Sequence, residues 1–340
     1  MIAYVLRRLC LAGSIVVAVS FAGFVGFGLS FDPAYSLVTD PSKRAFVRAY
    51  YHLNDPILSQ YWRWVSGLFT HGFGTTVSTD VAGTVPPRLA SPGVPIGPAL
   101  WHAAAITFEL VGAALIIVIV GSTAVAAVAA RRRRFRADLA ARSLAYLGAA
   151  VPTFLVGDLL VHAINPHYAQ VVVGGRTTIT STGSWFVVGP PTGGFVNWLQ
   201  HMTLPVVALS VSLIGIYARY LRSAIVSTLS EPYVAVARAK GLPERRVMLR
   251  HVLRNSLIPF TSLLSLEIGA VIGASLAADA VFNLGGLAST FLGAVRSSDP
   301  FELTALFVTT AVVVSAFTLV GDVLVGFLDP RVSVLSSWTG

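Results

Sequence analysis

Residues 231–259 read "EPYVAVARAKGLPERRVMLRHVLRNSLIP", an Arg-rich stretch broken by one glycine and set between two long apolar runs in a chain that is only 11% charged. Its local chemistry spells two short helices. Glu231 and Pro232 suit a first helical turn, because a carboxylate complements the positive helix end and Pro has no donor to lose there. Ser230 stands where a hydroxyl caps that turn. The helix runs from Tyr233 to Lys240 and stops at Gly241. A second helix starts at Pro243 with Glu244 in its first turn. It places Arg246, Arg250 and Arg254 four residues apart on one face, a basic stripe suited to anionic headgroups. Ala235 and Ala239, also four apart, give the first helix a shallow face that another backbone can approach closely. On residue chemistry alone two readings stay open: a short helix made to be gripped by a partner, and a solvated loop carrying topology-setting arginines. A DNA-reading helix-turn-helix does not fit, since apolar spans flank the stretch at both ends.

The rest of the chain explains those spans. Its 340 residues are 55% hydrophobic with a mean hydropathy of +0.75, more apolar surface than one soluble core hides, so the bilayer is the solvent for much of it. The net charge of +9 does not point to nucleic acid, because the basic residues lie in short clusters between apolar runs. Cys10 is the single cysteine, which excludes an intrachain disulfide and fits a cytoplasmic or membrane setting.

Runs of about 20 apolar residues predict six transmembrane helices near 9–31, 103–130, 138–163, 203–226, 256–282 and 303–327. The opening "MIAYVLRRLCLAGSIVVAVSFAGFVGFGLSF" resembles a signal peptide, but Leu9 to Phe31 carries no charge and is long enough to span, so it is read as a retained first helix. The third helix is the weakest by pattern, with Arg142 and Asp158 close together and Pro152 between them; it stands because Arg142 can snorkel to the headgroups. Six spans put Arg7, Arg8, Arg131 to Arg134, Arg136, Arg238, Lys240, Arg245, Arg246, Arg250 and Arg254 on one side, with both termini cytoplasmic. The organisation expected is a first helix over 1–31, an extracytoplasmic segment over 32–102, a transmembrane core over 103–329 containing the loop 227–255, and a cytoplasmic tail over 330–340. In the extracytoplasmic segment, Trp62 and Trp64 suit an interfacial helix, and Pro86, Pro87, Pro92, Pro95 and Pro98 an extended loop.

The ionisable residues at membrane depth are Glu109, Asp158, Glu267, Asp279 and Asp322, each expected to face protein or water. Glu267 and Asp279 in the fifth helix are the candidate translocation-pathway residues. For each of the five the alternative is a plain inter-helix or helix-end contact. Gly285 and Gly286 suit either a re-entrant loop or an ordinary turn. The paired "VGD" sequences at Asp158 and Asp322 raise an intramembrane aspartyl protease, but Gly-x-Gly-Asp is absent. A secondary transporter using the buried acids as cation sites is the other rival. The seven histidines show no metal-ligand spacing. A phosphate loop needs Gly-Lys followed by Ser or Thr, whereas lysine occurs only at Lys43 after Ser42 and Lys240 after Ala239. ATP chemistry therefore belongs to a separate chain.

The letters themselves add a further signal. The stretch 231–259 resembles the cytoplasmic EAA-type loop of ABC importer permeases, in the form carried by the dipeptide, oligopeptide and nickel permease family. "MIAYVLRRL" at the start, "FDPA" at 31–34, "LNDPILSQYWRWVSGLFTHGFGTT" at 53–76 and "LDPRV" at 328–332 are similar to that family's other motifs, in its order. The chain departs from the usual form at Val234 to Val236, at Phe31, where a glycine usually precedes Asp-Pro, and in the long proline-rich insert over 85–98.

The resemblance implies an all-α, six-helix permease of the type I importer fold, working beside a second homologous permease subunit, above two cytoplasmic ATPase subunits and below an extracytoplasmic substrate-binding protein. Its cargo would be a dipeptide or oligopeptide, or alternatively nickel or another small solute. The short loop helix would be the coupling helix, with Tyr233, Ala235, Ala237, Arg238, Ala239, Lys240 and Gly241 contacting the ATPase. No catalytic residue, metal or cofactor is expected in this chain; ATP and Mg would be bound by the partner ATPases.

Overall fold

Uncharged runs with no water to satisfy their amides must close their own hydrogen bonds, and helices do so within one segment. A computed structural model of the chain describes residues 2–30, 32, 41–50, 52–71, 73, 95–131, 151–164, 169–173, 176–180, 185–297 and 300–328. Its helices are α1 (Ile2–Ser30), α2 (Pro41–Tyr50), α3 (Ile57–His71), α4 (Ile96–Arg131) and α5 (Thr153–Ile164). After these come α6 (Phe195–Leu229), α7 (Pro232–Ala239) and α8 (Glu244–Arg246). A π-helical segment, Val247–Leu253, leads into α9 (Arg254–Leu266). The chain continues as α10 (Ile268–Phe282), α11 (Leu287–Ser297) and α12 (Pro300–Leu328).

Four of these helices, α1, α4, α6 and α12, are long and apolar enough to cross a membrane, and the bent pair from Glu244 to Phe282 adds a fifth if it counts as one span. Of the third predicted span, residues 138–150 lie outside the described residues and α5 covers it from Thr153 onward. The fifth predicted span is not continuous: it bends by 60° between Leu266 and Ile268. Thr261, Ser262 and Ser265 each donate a hydroxyl to the carbonyl four residues back, a habit that bends helices, and Glu267 then leaves helical geometry at φ −87°, ψ 3°. The predicted proline loop also ends early, since Pro98 falls in the first turn of α4, where proline is tolerated.

An element absent from the all-α expectation is a hairpin. β1 (Ala169–Val173) pairs antiparallel with β2 (Arg176–Thr180), in the register Ala169↔Thr180 through Val173↔Arg176. Gly174 and Gly175 separate the paired ends. Gly-Gly between two β-branched runs is a recognised hairpin signal.

Two units divide the chain, one made of Met1–Arg8, Phe108–Leu284 and Ala316–Gly340, the other of Leu9–Thr107 and Gly285–Ser315. In the second, an aromatic cluster does the packing. Tyr61 of α3 sits 5.2 Å from Phe21 and 5.6 Å from Phe24 of α1, and the Tyr61 and Ser20 hydroxyls are 2.7 Å apart. Phe27 meets Phe307 edge-on at 4.9 Å. Trp64 joins the cluster at 5.9 Å from Phe24, while Trp62 points away and is exposed. α11 starts after Gly285, which turns the chain at φ 76°, and the Thr107 hydroxyl accepts the Leu287 amide at 3.1 Å.

The first unit is organised around α6, whose apolar window is 72% buried against 17% for that of α1. A helix that buries most of its apolar stretch in this way is a central one. On α4, Leu110, Ala114, Val118, Ser122 and Ala126, spaced by four, are wholly buried. Small residues let helices close: a Cβ on Gly157 would stand 3.0 Å from the Phe282 ring. A Cβ on Gly321 would stand 3.0 Å from Ser265 Cβ and 3.4 Å from Ser265 Cα. Such contacts replace the hydrophobic drive that lipid cannot supply between helices. Gly321→Leu should therefore cost about 1–3 kcal/mol by overpacking, read as a lower unfolding temperature of the detergent-solubilised protein. Gly13→Leu, where a Cβ meets nothing within 4 Å, should leave that temperature unchanged; equal effects at the two sites would contradict this packing.

Candidate functional site

The stretch from α6 to α9 lies in the first unit and is built from its turns outward. α6 ends at Ser230, whose hydroxyl donates back to the Val226 carbonyl at 3.3 Å and whose amide reaches Ser227 O. Ser230 thus closes the helix before it rather than capping α7, as the sequence suggested. Glu231 takes the N-cap position in extended geometry without a side-chain hydrogen bond, and Pro232 follows as the first residue of α7.

At the far end Lys240 is the C-cap and Gly241 adopts φ 77°. The Gly241 amide donates to Arg238 O at 2.9 Å and the Leu242 amide to Ala237 O at 3.4 Å, which is the Schellman pattern. Only a residue at ease with positive φ fits there.

α7 has two faces. Val234 and Ala237, three apart, are buried; Ala235, Val236, Arg238, Ala239, Lys240 and Gly241 are exposed, with Tyr233 40% accessible. The buried pair packs α7 onto the π-helical segment, in which Val247, Met248 and Val252 are buried. Val247 and Val252 are five residues apart. A π turn, closing i to i+5, brings that spacing onto one face where an α turn would not. Of the residues the sequence proposed for partner contact, Ala237 therefore turns inward, while the other six reach the surface.

Polar ties reinforce the seam. The Ser256 hydroxyl donates to Thr228 Oγ1 at 3.0 Å, and Asn255 Nδ2 donates to the Tyr233 hydroxyl at 2.8 Å. Arg238 grips Glu244 with two bonds, Nε to Oε2 at 3.1 Å and Nη2 to Oε1 at 2.8 Å. That side-chain bond holds the guanidinium pKa above its ordinary value. Arg246, Arg250 and Arg254 are exposed, as the stripe requires.

The membrane-depth acids separate into different environments. Glu267 is exposed at the bend between α9 and α10. Asp279 is 1% exposed on the buried face of α10, and its carbonyl accepts the Asn283 amide that ends that helix. Asp322 of α12 pairs with Arg8 at 3.1 Å, and Glu109 accepts the Trp198 indole N–H at 2.7 Å. Asp158 lies 3.5 Å from the His162 ring, one turn on along α5. The Glu109 and Asp322 contacts join two helices, while that of Asp158 stays within α5. Among the described residues no group of three or more His, Cys, Asp or Glu side chains is placed to hold a metal ion.

Two features of the site escaped pattern reading. Arg238 and Glu244 are six apart, outside helical pair spacing, and meet only because Gly241 reverses the chain. Val236 is 53% exposed, an apolar side chain held out on the helix surface; its signal was the run "VAV", which can bury only some of its members on a one-sided helix.

The model of the family described as "Binding-protein-dependent transport system inner membrane component" matches residues 122–334, a span that contains α6 through α12. This chain belongs to that family. Among similar proteins, the oligopeptide transport system permease protein AppB of Bacillus subtilis (strain 168) is 26% identical, covering 98% of this chain and 99% of the relative. The oligopeptide transport system permease protein OppB of Mycobacterium tuberculosis (strain ATCC 25618 / H37Rv) is 28% identical over 97% and 99%. The glutathione transport system permease protein GsiC of Salmonella paratyphi A (strain ATCC 9150 / SARB42) is 30% identical over 98% and 99%. This member of the family is a multi-pass membrane protein, and its α7 lies within the matched region.

Gly241→Ala puts a Cβ into left-handed geometry at a cost of about 1–2 kcal/mol, whereas Gly241→Asn costs less, asparagine being the other residue found at this position. Hydrogen exchange of the α7 amides should show faster exchange in the alanine variant than in the asparagine variant; equal protection would count against the Schellman assignment.

Proposed function

We propose that this chain is a permease subunit of a binding-protein-dependent ABC importer, carrying di- or oligopeptides across the bacterial cytoplasmic membrane. The energy comes from ATP hydrolysed in separate subunits. The chain works beside a second homologous permease subunit, over two cytoplasmic ATPase subunits and under a substrate-binding protein. The names of its relatives support the cargo class: two act in oligopeptide transport and one in transport of glutathione, itself a small peptide.

Six spans with both termini cytoplasmic fit the distribution of basic residues. The third span read from the sequence, over 138–163, is the sixth crossing in this reading. The Arg8–Asp322 pair supports placing the start of α1 and the end of α12 at one membrane face.

The observation that carries the mechanism is the two-faced α7. Its inward face is buried, its outward face offers the shallow surface of Ala235, Val236 and Ala239 with Lys240 and Gly241 at the end, and both its ends are held by defined turns. Such a helix fits a groove on an ATPase. Closure of the ATPases on ATP displaces it, and the α6 and α8–α9 segments leaving its two ends carry that displacement into the bundle, switching the pathway between inward and outward opening. Glu267, exposed where α9 bends into α10, is the pathway residue the placement supports. The burial of Asp279 suits a contact between helices.

Ala239→Trp combined with Gly241→Pro fills the shallow face and forbids the φ of the turn. Membrane insertion should persist, while ATP hydrolysis stimulated by the loaded binding protein in the assembled complex should fall about tenfold, the effect of about 1.4 kcal/mol of lost docking. Undiminished stimulation would remove α7 as the coupling element. Mass spectrometry of what the copurified binding protein holds decides between peptide and nickel.

A further inference from the structure

Arg238 is on the exposed side of α7, where the sequence placed it among the groups that touch a partner. Its guanidinium is already occupied. Both of its bonds to Glu244 run across the four-residue turn Lys240 to Pro243, from the last turn of α7 to the first turn of α8. Arginine reads a carboxylate this way because its planar fork matches the two oxygens.

The geometry points to Arg238 and Glu244 as a positioning pair that makes α7 and the α8–π–α9 rod one rigid elbow. A push received on α7 is then delivered to α9 instead of being lost in the turn. This rests on the reading of α7 as the coupling helix and gives Arg238 a different part in it. Other restraints already fix the neighbouring joints: Asn255 holds Tyr233 at the start of α7, Ser256 holds Thr228 at the end of α6, and Val234 with Ala237 seats the inward face. Across the turn itself run its backbone bonds and this pair. Gly241 has no side chain, and a Cβ there would meet nothing within 4 Å, so no side chain packs at the point of reversal, and only the half-buried Leu242 follows it.

An exposed ion pair adds little to folding stability, at most about 1 kcal/mol, so the chain tolerates its loss. As a bias between a stiff and a loose elbow the same free energy is worth about fivefold in population. The effect expected is therefore on coupling and not on expression.

The test uses the complete complex in nanodiscs with its own binding protein as isolated, and reads the ratio of stimulated to basal ATP hydrolysis. Arg238→Ala and Glu244→Ala should each lower that ratio about fivefold. Arg238→Lys should restore little, since a single ammonium cannot replace two parallel bonds. The charge exchange Arg238→Glu with Glu244→Arg should recover most of the ratio. In a Cys10→Ser background, spin labels at Glu231→Cys and Leu249→Cys, both exposed and outside the docking face, should give one narrow distance in the parent and a broadened one in Arg238→Ala.

An unchanged ratio in Arg238→Ala, a charge exchange as impaired as the single variants, or an unbroadened distance overturns the proposal. So does loss of the ATPase subunits in Arg238→Ala with retention in Glu244→Ala, which would make Arg238 a partner contact. Failure of the underlying reading shows separately: a thiol crosslinker on Ala239→Cys would then not reach the ATPase subunit in the complex.

Discussion

An eight-residue helix is below the length at which helices persist on their own in water, so α7 exists because Val234 and Ala237 are buried on the π-helical segment that follows it. Remove that seam and little specifies the position of the outward face. The seam also accounts for the π turns, because the buried valines of the segment are spaced by five. A helical irregularity that is costly in isolation is tolerated where it lets one strip of side chains stay buried.

The same logic runs through the first unit at larger scale. Between membrane helices there is no hydrophobic drive, and association rests on close contact. Gly157 lies against Phe282 and Gly321 against Ser265, while hydroxyls donate back along their own helices. Three such hydroxyls in α9 precede the bend that leaves Glu267 exposed. Local chemistry that merely satisfies hydroxyls in an apolar setting thus also shapes where the helix breaks and which acid is exposed.

Mechanically, the stretch from α6 to α9 is a chain of joints with different kinds of restraint: apolar burial under α7, single hydrogen bonds where it leaves α6 and approaches α9, and a two-toothed ion pair over its C-terminal turn. Restraints of this kind, individually weak, are suited to transmitting a displacement without making the bundle immobile.

Much of this was legible in the letters. Length and hydropathy demanded membrane helices, the position of Gly241 with Pro243 marked the break between two short helices, and the motif order marked the family. These are local properties, set by backbone sterics and by the cost of exposing amides to hydrocarbon. Other features depended on which side chains meet in space. The role of Ser230 turned on whether its hydroxyl faced the helix behind or ahead. The bend at Glu267, the inward turn of Ala237, and the sorting of acids into Asp322 paired with Arg8, Asp279 buried and Glu267 exposed depended on neighbours distant in sequence. The meeting of Arg238 with Glu244 depended on a chain reversal that brings together residues outside helical spacing. The hairpin at 169–180 had a local signal of its own, β-branched runs on either side of Gly-Gly, which a pattern of apolar spans does not register. Periodicity reports which residues share a face; only packing decides what that face meets.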